Sequence, residues 1–409
     1  MASIFSLIMQ PRKDMLLMFK RHLNPDRISV IIVTFIALIL FLLPTGFPTN
    51  QYPDSQRVSA LVVDTDDSML YSTGIILQGE QVCTLRILSG PFKGQEIEGI
   101  NRMMGKLEFD KIFAKGDKAF VVLNLQGNQI LFANIIDHYR INLELLLFGA
   151  FIILLIGFAG WVGAKALLSF MLTVLMLWKV LIPSLLKGWN PIVVSMVVVI
   201  LLTLIIIILV GGFNRKSFVA ALGSLSGTLL TCILAIMFGK YFNIHGAVMP
   251  FSESLLYSGY AHLNLTEIFI AAIFIASSGA LMDVAMDISA AVYELVEQNP
   301  DITAENAIKS GFNIGRAVIG TMTTTLLLAY SGGYIALMMV FMAQGTPTLN
   351  IMNLKYVSAE ILHTLVGSFG LVTVVPFTAF AAGIIFTKSS FTMQLKKEKL
   401  ERGVPEINS

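Results

Sequence analysis

Two carboxylates, one amide and one guanidinium stand in stretches that are otherwise apolar: Asp283 and Asp287 in one, Asn313 and Arg316 in the next. Ionisable groups at membrane depth are costly and are functional candidates by default. On a helix, steps of four and eleven residues nearly return to one face, so Asp283, Asp287 and Glu294 form an acidic stripe. On the following segment Asn313, Arg316, Gly320 and Thr324 share a face, with Thr323 at its border. A carboxylate beside a movable Arg can load a proton when the Arg withdraws and release it when the Arg returns. The hydroxyls of Thr321, Thr323, Thr324 and Thr325 could carry water or a cation. The competing reading is a fixed ion pair that sets helix register, which is a common role for buried charges. Both readings stand at this point.

The elements that must position these groups are two helices and a short linker. Asn299-Pro300 ends the first helix, and Thr303 with Glu305 and Asn306 signals the start of the second. So short a linker predicts antiparallel neighbours and brings Arg316 toward Asp283 and Asp287. Gly311, Gly315, Gly320, Gly332 and Gly333 allow close helix approach or motion, of which close packing is the commoner role in membranes.

Composition sets the context. Of 409 residues 56% are hydrophobic and 13% charged, and the mean hydropathy is +0.77, values of an integral membrane protein whose first partner is the lipid bilayer. A net charge of +2 with no basic groove gives no case for nucleic acid. The expected fold is mainly α, a polytopic helix bundle of about eight membrane spans with a small extracytoplasmic β-rich domain after the first. Residues 1–27 read as a basic cytoplasmic lead-in with Arg12, Lys13, Lys20, Arg21 and Arg27. Residues 28–48 are a first anchor, and too long an apolar run, with no small-x-small site after it, for a cleaved signal. Residues 49–140 form the β-rich domain, with runs such as 59–63, 82–88, 119–125 and 130–136 separated by turns. About five strands there suggest a small barrel of OB type or a sandwich. Residues 141–390 form a seven-span bundle, near 143–160, 164–186, 191–212, 217–240, 266–288, 313–342 and 358–387, followed by a cytoplasmic tail at 391–409.

Short basic loops orient the chain. Lys165, Arg215-Lys216, Lys309 with Arg316, and the tail residues Lys388, Lys396, Lys397, Lys399 and Arg402 fall on one side if both termini are cytoplasmic in the cell membrane. Lys179 and Lys187 dissent, although Lys near a helix end can snorkel to the interface.

Other chemistry is less well supported. The stretch SGPFKGQ (89–95) lacks Walker spacing and a following helix, so it reads as a hairpin turn. His245, Glu253, His262, Glu267, Glu360 and His363 lie near the outer face, and Glu360 with His363 has the spacing of a helical ligand pair. One such pair reads better as interfacial polarity than as a metal site, and no metal or other cofactor is implied. No Ser/His/Asp arrangement or His-Glu-x-x-His motif is present, which disfavours a hydrolase and any enzyme assignment. Cys83 and Cys232 sit in such different contexts that a disulfide framework is not expected.

The runs GALMDVAMDIS (279–289), KSGFNIGRAVIGTM (309–322), TTLLLAY (324–330) and SFGLVTVVPFTAF (368–380) resemble the YibE/F family of multipass membrane proteins, over residues 142–390. A more distant order of residues is Asp283, then Asn299-Pro300 with Glu305, then Ser310, Arg316, Thr321, Thr324, Leu326-Leu327 and Gly332-Gly333. It is similar to the permease half of SecD/SecF and related RND transporters. That resemblance implies a proton path through Asp283 and Arg316, with Thr321 and Thr324 on its threonine positions, that drives movement of outer domains. It also implies a homologous partner subunit or a homo-oligomer. The chain departs from such a half in having seven spans after a smaller outer domain rather than five. The function these features point to is cation-motive-force-coupled transport or export. Its rival is a non-transporting scaffold whose β-domain binds an envelope component or a partner protein.

Overall fold

From residue 55 onward buried and exposed positions alternate along each strand, the two-residue period of a sheet with one face in a core. The computed structural model describes residues 25–48 and 54–401, with side chains to residue 388. The basic lead-in at Arg12, Lys13, Lys20 and Arg21 and the tail side chains of Lys396, Lys397, Lys399 and Arg402 lie outside the described residues. Two compact units result, residues 47–158 and the remainder.

The smaller unit has six strands: β1 (Ser55–Asp66), β2 (Leu70–Thr73), β3 (Ile76–Ile87), β4 (Glu96–Met104), β5 (Lys118–Gln126) and β6 (Gln129–His138). Ladders run β1–β5, β5–β6, β6–β4, β4–β3 and back to β1, closing a five-stranded barrel, with β2 attached outside the ring to β3. All are antiparallel except β4–β6, where Gly99 faces Ala133. This is the ring order of a Greek-key barrel of OB type. The stretch 89–95 is the turn between antiparallel β3 and β4, with Gly90 and Gly94 at φ 82° and 90°. Val58, Val62, Leu85, Phe113, Val121 and Leu123 fill the interior.

One polar network is sealed inside this barrel. Gln81 and Asn101 are fully buried. Gln81 donates to Asp67 Oδ1 at 2.8 Å and to Phe113 O at 2.9 Å, and its Oε1 accepts from Phe113 N and Asn101 Nδ2, each at 3.0 Å. Asn101 Nδ2 also donates to Lys111 O at 2.6 Å, so two side chains fasten the loop 105–117. Beside them Cys83 is buried and its thiol is pushed up to about 11, first by burial and second by the Asp67 charge. Only an opened barrel exposes a reactive thiolate there.

The larger unit is helical: α1 (Pro25–Leu42), α2 (Ile141–Met176, continuing through a π-turn to Leu186), α3 (Pro191–Gly211), α4 (Arg215–Tyr241), α5 (Leu265–Gln298), α6 (Ala304–Ser331), α7 (Ile335–Ala343) and α8 (Lys355–Glu401). Local sequence sets the starts. Asn190, Asn214, Asn264 and Thr303 each accept an N-cap hydrogen bond, from Val193, Ser217, Glu267 and Asn306. Among the described residues six helices are long and apolar enough to cross a membrane, which makes this a membrane protein. The expected runs 143–160 and 164–186 are one helical run, 141–186, broken only where Gly160 takes φ 54° and ψ −127°. No polar loop separates them, because glycine alone accommodates the bend. The 18-residue α1 stands outside those six.

Helix α1 packs on α2 and α3 through Val33, Leu172, Met176, Val198 and Leu202. Lys165, only 6% exposed, pairs with Asp26 at 2.9 Å. Lys179 donates to Leu43 O at 2.9 Å, just past the end of α1, and Lys187 lies against Gly46. Lys179, one of the two lysines that broke the charge pattern, therefore meets the carbonyl end of a helix, where cations are favoured.

Replacing Gln81 by Leu strands the N–H and the carbonyl of Phe113, at about 1–3 kcal/mol for each group left unpaired. The expected outcome is at least tenfold faster maleimide labelling of Cys83 at pH 8, measured in a Cys232→Ser background.

Candidate functional site

Helix α5 is two-faced by sequence. Leu281, Val284, Ala285, Ile288 and Val292 are fully buried among α4, α6 and α8. Asp283, Asp287, Ala290, Glu294 and Glu297 are exposed along the opposite stripe. The acidic stripe expected from spacing is present, and it faces out of the chain rather than into the bundle.

Helix α6 follows the same logic with smaller residues. Its buried positions include Ala307, Gly311 and Gly315. A Cβ on Gly311 would stand 2.8 Å from Ala379 Cβ and 3.3 Å from Val292 Cγ2, and one on Gly315 would collide with Val375. The glycine face is thus pressed onto α8. Positions off that face, Asn313, Arg316, Gly320, Thr321 and Thr324, are exposed. Gly320, Gly332 and Gly333 meet nothing within 4 Å, so only two of the five glycines singled out by sequence serve close packing.

Because α6 docks mainly on α8, Arg316 is not delivered to the carboxylates as the linker length suggested. Among the described residues none of the ion pairs within 4.0 Å involves Arg316, Asp283 or Asp287. Asp283 and Asp287 are brought together, one helical turn apart on one stripe. Asn313 and Arg316 share the neighbouring stripe on α6. Thr321 donates to Val318 O at 3.1 Å, Thr323 to Ile319 O at 2.9 Å and Thr325 to Thr321 O at 3.1 Å. Those hydroxyl protons are committed to the helix backbone. Each hydroxyl oxygen still has accepting capacity, which suits a cation or a water.

The outer-face polar residues resolve into local roles. His245 Nδ1 accepts from Ala247 N at 3.1 Å, and Glu267 accepts from Asn190 Nδ2 at 3.2 Å. Glu360 and His363 do lie side by side, with Nδ1 4.0 Å from Oε2. Their partner is Tyr330, whose ring stacks on His363 at 4.3 Å. Spacing on one helix revealed the Glu-x-x-His pair, whereas a contact contributed by another helix left no local signal.

The two glycine environments give opposite expectations. Gly315→Leu overpacks the α6–α8 contact and should lower stability by about 1–3 kcal/mol or more, read as thermal unfolding in detergent. Gly320→Leu, with open space around it, should leave that unfolding midpoint unchanged.

A family model described as YibE/F-like protein matches residues 147–388. That span holds both stripes and all of the helices that bury them. No curated protein and no solved structure matches the chain. With the match extending over more than half of its length, the chain belongs to the YibE/F-like protein family.

Proposed function

We propose that this protein is a permease-like carrier in which proton or cation movement through the α5 and α6 stripes drives transport or export of a substrate still to be identified. Asp283 carries the proton and Arg316 is its switchable counter-charge. Asp287 and Asn313 tune the pair, and Thr321 and Thr324 supply oxygens along the path. The observation that carries this reading is that Asp283, Asp287 and Arg316 are exposed on apolar helices and, among the described residues, enter no ion pair. A structural salt bridge would be closed already; an open pair has somewhere to move. Charges on a membrane-facing surface also need cover, and a homologous subunit or a second copy supplies it, acidic stripe against Arg316 stripe. The similarity to the SecD/SecF permease half points the same way.

The topology that suits this function has eight spans, counting α1 and both halves of the run broken at Gly160. Both termini are cytoplasmic, the barrel is extracytoplasmic, and the protein resides in the cell membrane.

A scaffold function is the second reading, favoured by one feature of the barrel. Met69, Tyr71, Ile75, Met104 and Leu107 are exposed apolar side chains around the β2–β3 hairpin and the end of β4, a surface suited to a partner protein.

Asp283→Asn and Arg316→Ala decide between the two. The expected result is normal expression and assembly, with loss of a deletion-complementing phenotype and of pH-driven flux in liposomes by tenfold or more. An active Asp283→Asn protein would sink the relay. Retained activity there, combined with loss on Tyr71→Asp or Ile75→Asp, would establish the scaffold.

A further inference from the structure

Buried polar atoms without partners mark places where a structure leaves room for a small ligand or a water. Tyr330 Oη and His363 Nε2 are two such atoms, buried and without a hydrogen-bond partner, on rings stacked with centroids 4.3 Å apart and planes inclined at 25°. The other imidazole nitrogen, Nδ1, lies 4.0 Å from Glu360 Oε2. Thr364 donates to Glu360 Oε1 at 3.5 Å, and Tyr334, in the turn after α6, adjoins the same carboxylate. The Glu360 and His363 side chains are 16% and 20% exposed.

The titratable groups that face one another here are Glu360 and His363 on α8, Tyr330 on α6 and Tyr334 in the turn. Helix α5 approaches at Ser277, beside Gly367, and residues 268–282 of that helix hold no titratable side chain. One imidazole and one carboxylate are too few for a transition-metal site, which takes three or four ligands. They suit a proton. An imidazole with a carboxylate near one nitrogen and a water on the other can accept a proton on one side and release one on the other. A water between His363 Nε2 and Tyr330 Oη also satisfies both orphaned atoms, as buried waters commonly do.

We propose that Glu360, His363 and Tyr330 form a second proton-binding station, served by a water that bridges His363 Nε2 and Tyr330 Oη. A proton arriving through the water binds at Nε2 and, once a side-chain rotation closes the 4.0 Å gap to hydrogen-bond distance, the Nδ1 proton passes to the Glu360 carboxylate; no other bond is made or broken. Tyr330 lies fourteen residues beyond Arg316 on α6, about 21 Å along the axis at 1.5 Å per residue. The two stations would then mark two depths of one path. That path rests on the function proposed above, whereas the station does not.

The test is imidazole NMR on the full chain, with ¹⁵N-labelled histidine, in nanodiscs. The chain has 5 histidines, and His363→Gln assigns the signal. Spectra are recorded across the window in which an imidazole changes charge, about pH 5 to 8, and the His363 ring is expected to titrate there with a midpoint that differs in Glu360→Gln. A ring that keeps one charge state over that range, or a midpoint indifferent to Glu360→Gln, would overturn the station. Tyr330→Phe tests the water independently. Loss of a bridged hydroxyl should lower the thermal midpoint by about 2 °C or more, while an unchanged or raised midpoint overturns the bridge, because removing a dry, unpartnered hydroxyl does not destabilise. Recording the titration in Asp283→Asn separates the two ideas. It should persist there, so a transport defect in that variant bears on the relay alone.

Discussion

Close approach of α8 to its neighbours is the constraint from which the helical unit follows. At Gly223 the partner is Thr378, at Gly370 it is Thr231, at Gly315 it is Val375 and at Gly383 it is Ile308; a methyl group on any of these glycines would collide with the facing residue. In a bilayer, lipid tails are as apolar as leucine, so helices associate through such close contacts rather than by hiding from water. The two threonines on this seam hydrogen-bond within their own helices, Thr378 to Val374 O at 2.7 Å and Thr231 to Gly227 O at 2.9 Å. Their polarity is thereby spent, and they fill space as β-branched apolar residues do. The seam holds α4, α5 and α6 around α8.

That packing decides where the charges go. Once Gly311 and Gly315 are committed to α8, the 3.6-residue period places Asn313 and Arg316 off the seam. Likewise, α5 buries Leu281, Val284, Ala285 and Ile288 and so turns Asp283 and Asp287 outward. Neither helix can rotate its charges into the bundle without carrying an apolar face out and a polar one in. The exposed stripes are thus a consequence of the same packing that builds the core.

Periodicity made much of this legible. The acidic stripe, the polar α6 face, the Asn299-Pro300 break and the Thr303 cap are local features, and local features can be read from spacing. The barrel's turn-rich, β-branched runs were equally plain, although β2 and β4 were less distinct. Sequence was weakest where the outcome depends on which of two available neighbours a helix prefers. A short linker places α6 next to α5, but the glycine pair at 311 and 315 matches the Ala379 and Val375 side of α8 better, and packing won over proximity. The division at residue 160 was legible as well, since the apolar run was parted after Gly160 and ahead of Lys165; what spacing did not show is that helix continues directly on both sides of it with no polar loop. Lys179 and Lys187 violated the charge pattern because their partners, the backbone at Leu43 and Gly46, belong to a segment more than a hundred residues away.

The same contrast between local and distant determinants separates the two ionisable groupings of the helical unit. The stripes of α5 and α6 are exposed, and among the described residues Arg316 enters no ion pair. The Glu360, His363 and Tyr330 grouping is enclosed by elements already in place, with the Tyr330 ring held against His363 by the α6–α8 contact. An element that shifts α6 along or around α8 would therefore alter both at once: it would change the reach of Arg316 and the stacking that fixes the imidazole. Helix α6 is pinned on α8 at Gly311 and Gly315 and again at Tyr330, which stacks on His363, whereas a Cβ at Gly320 between them would meet nothing within 4 Å. It carries the exposed Arg316 and, through Tyr330, meets the buried His363.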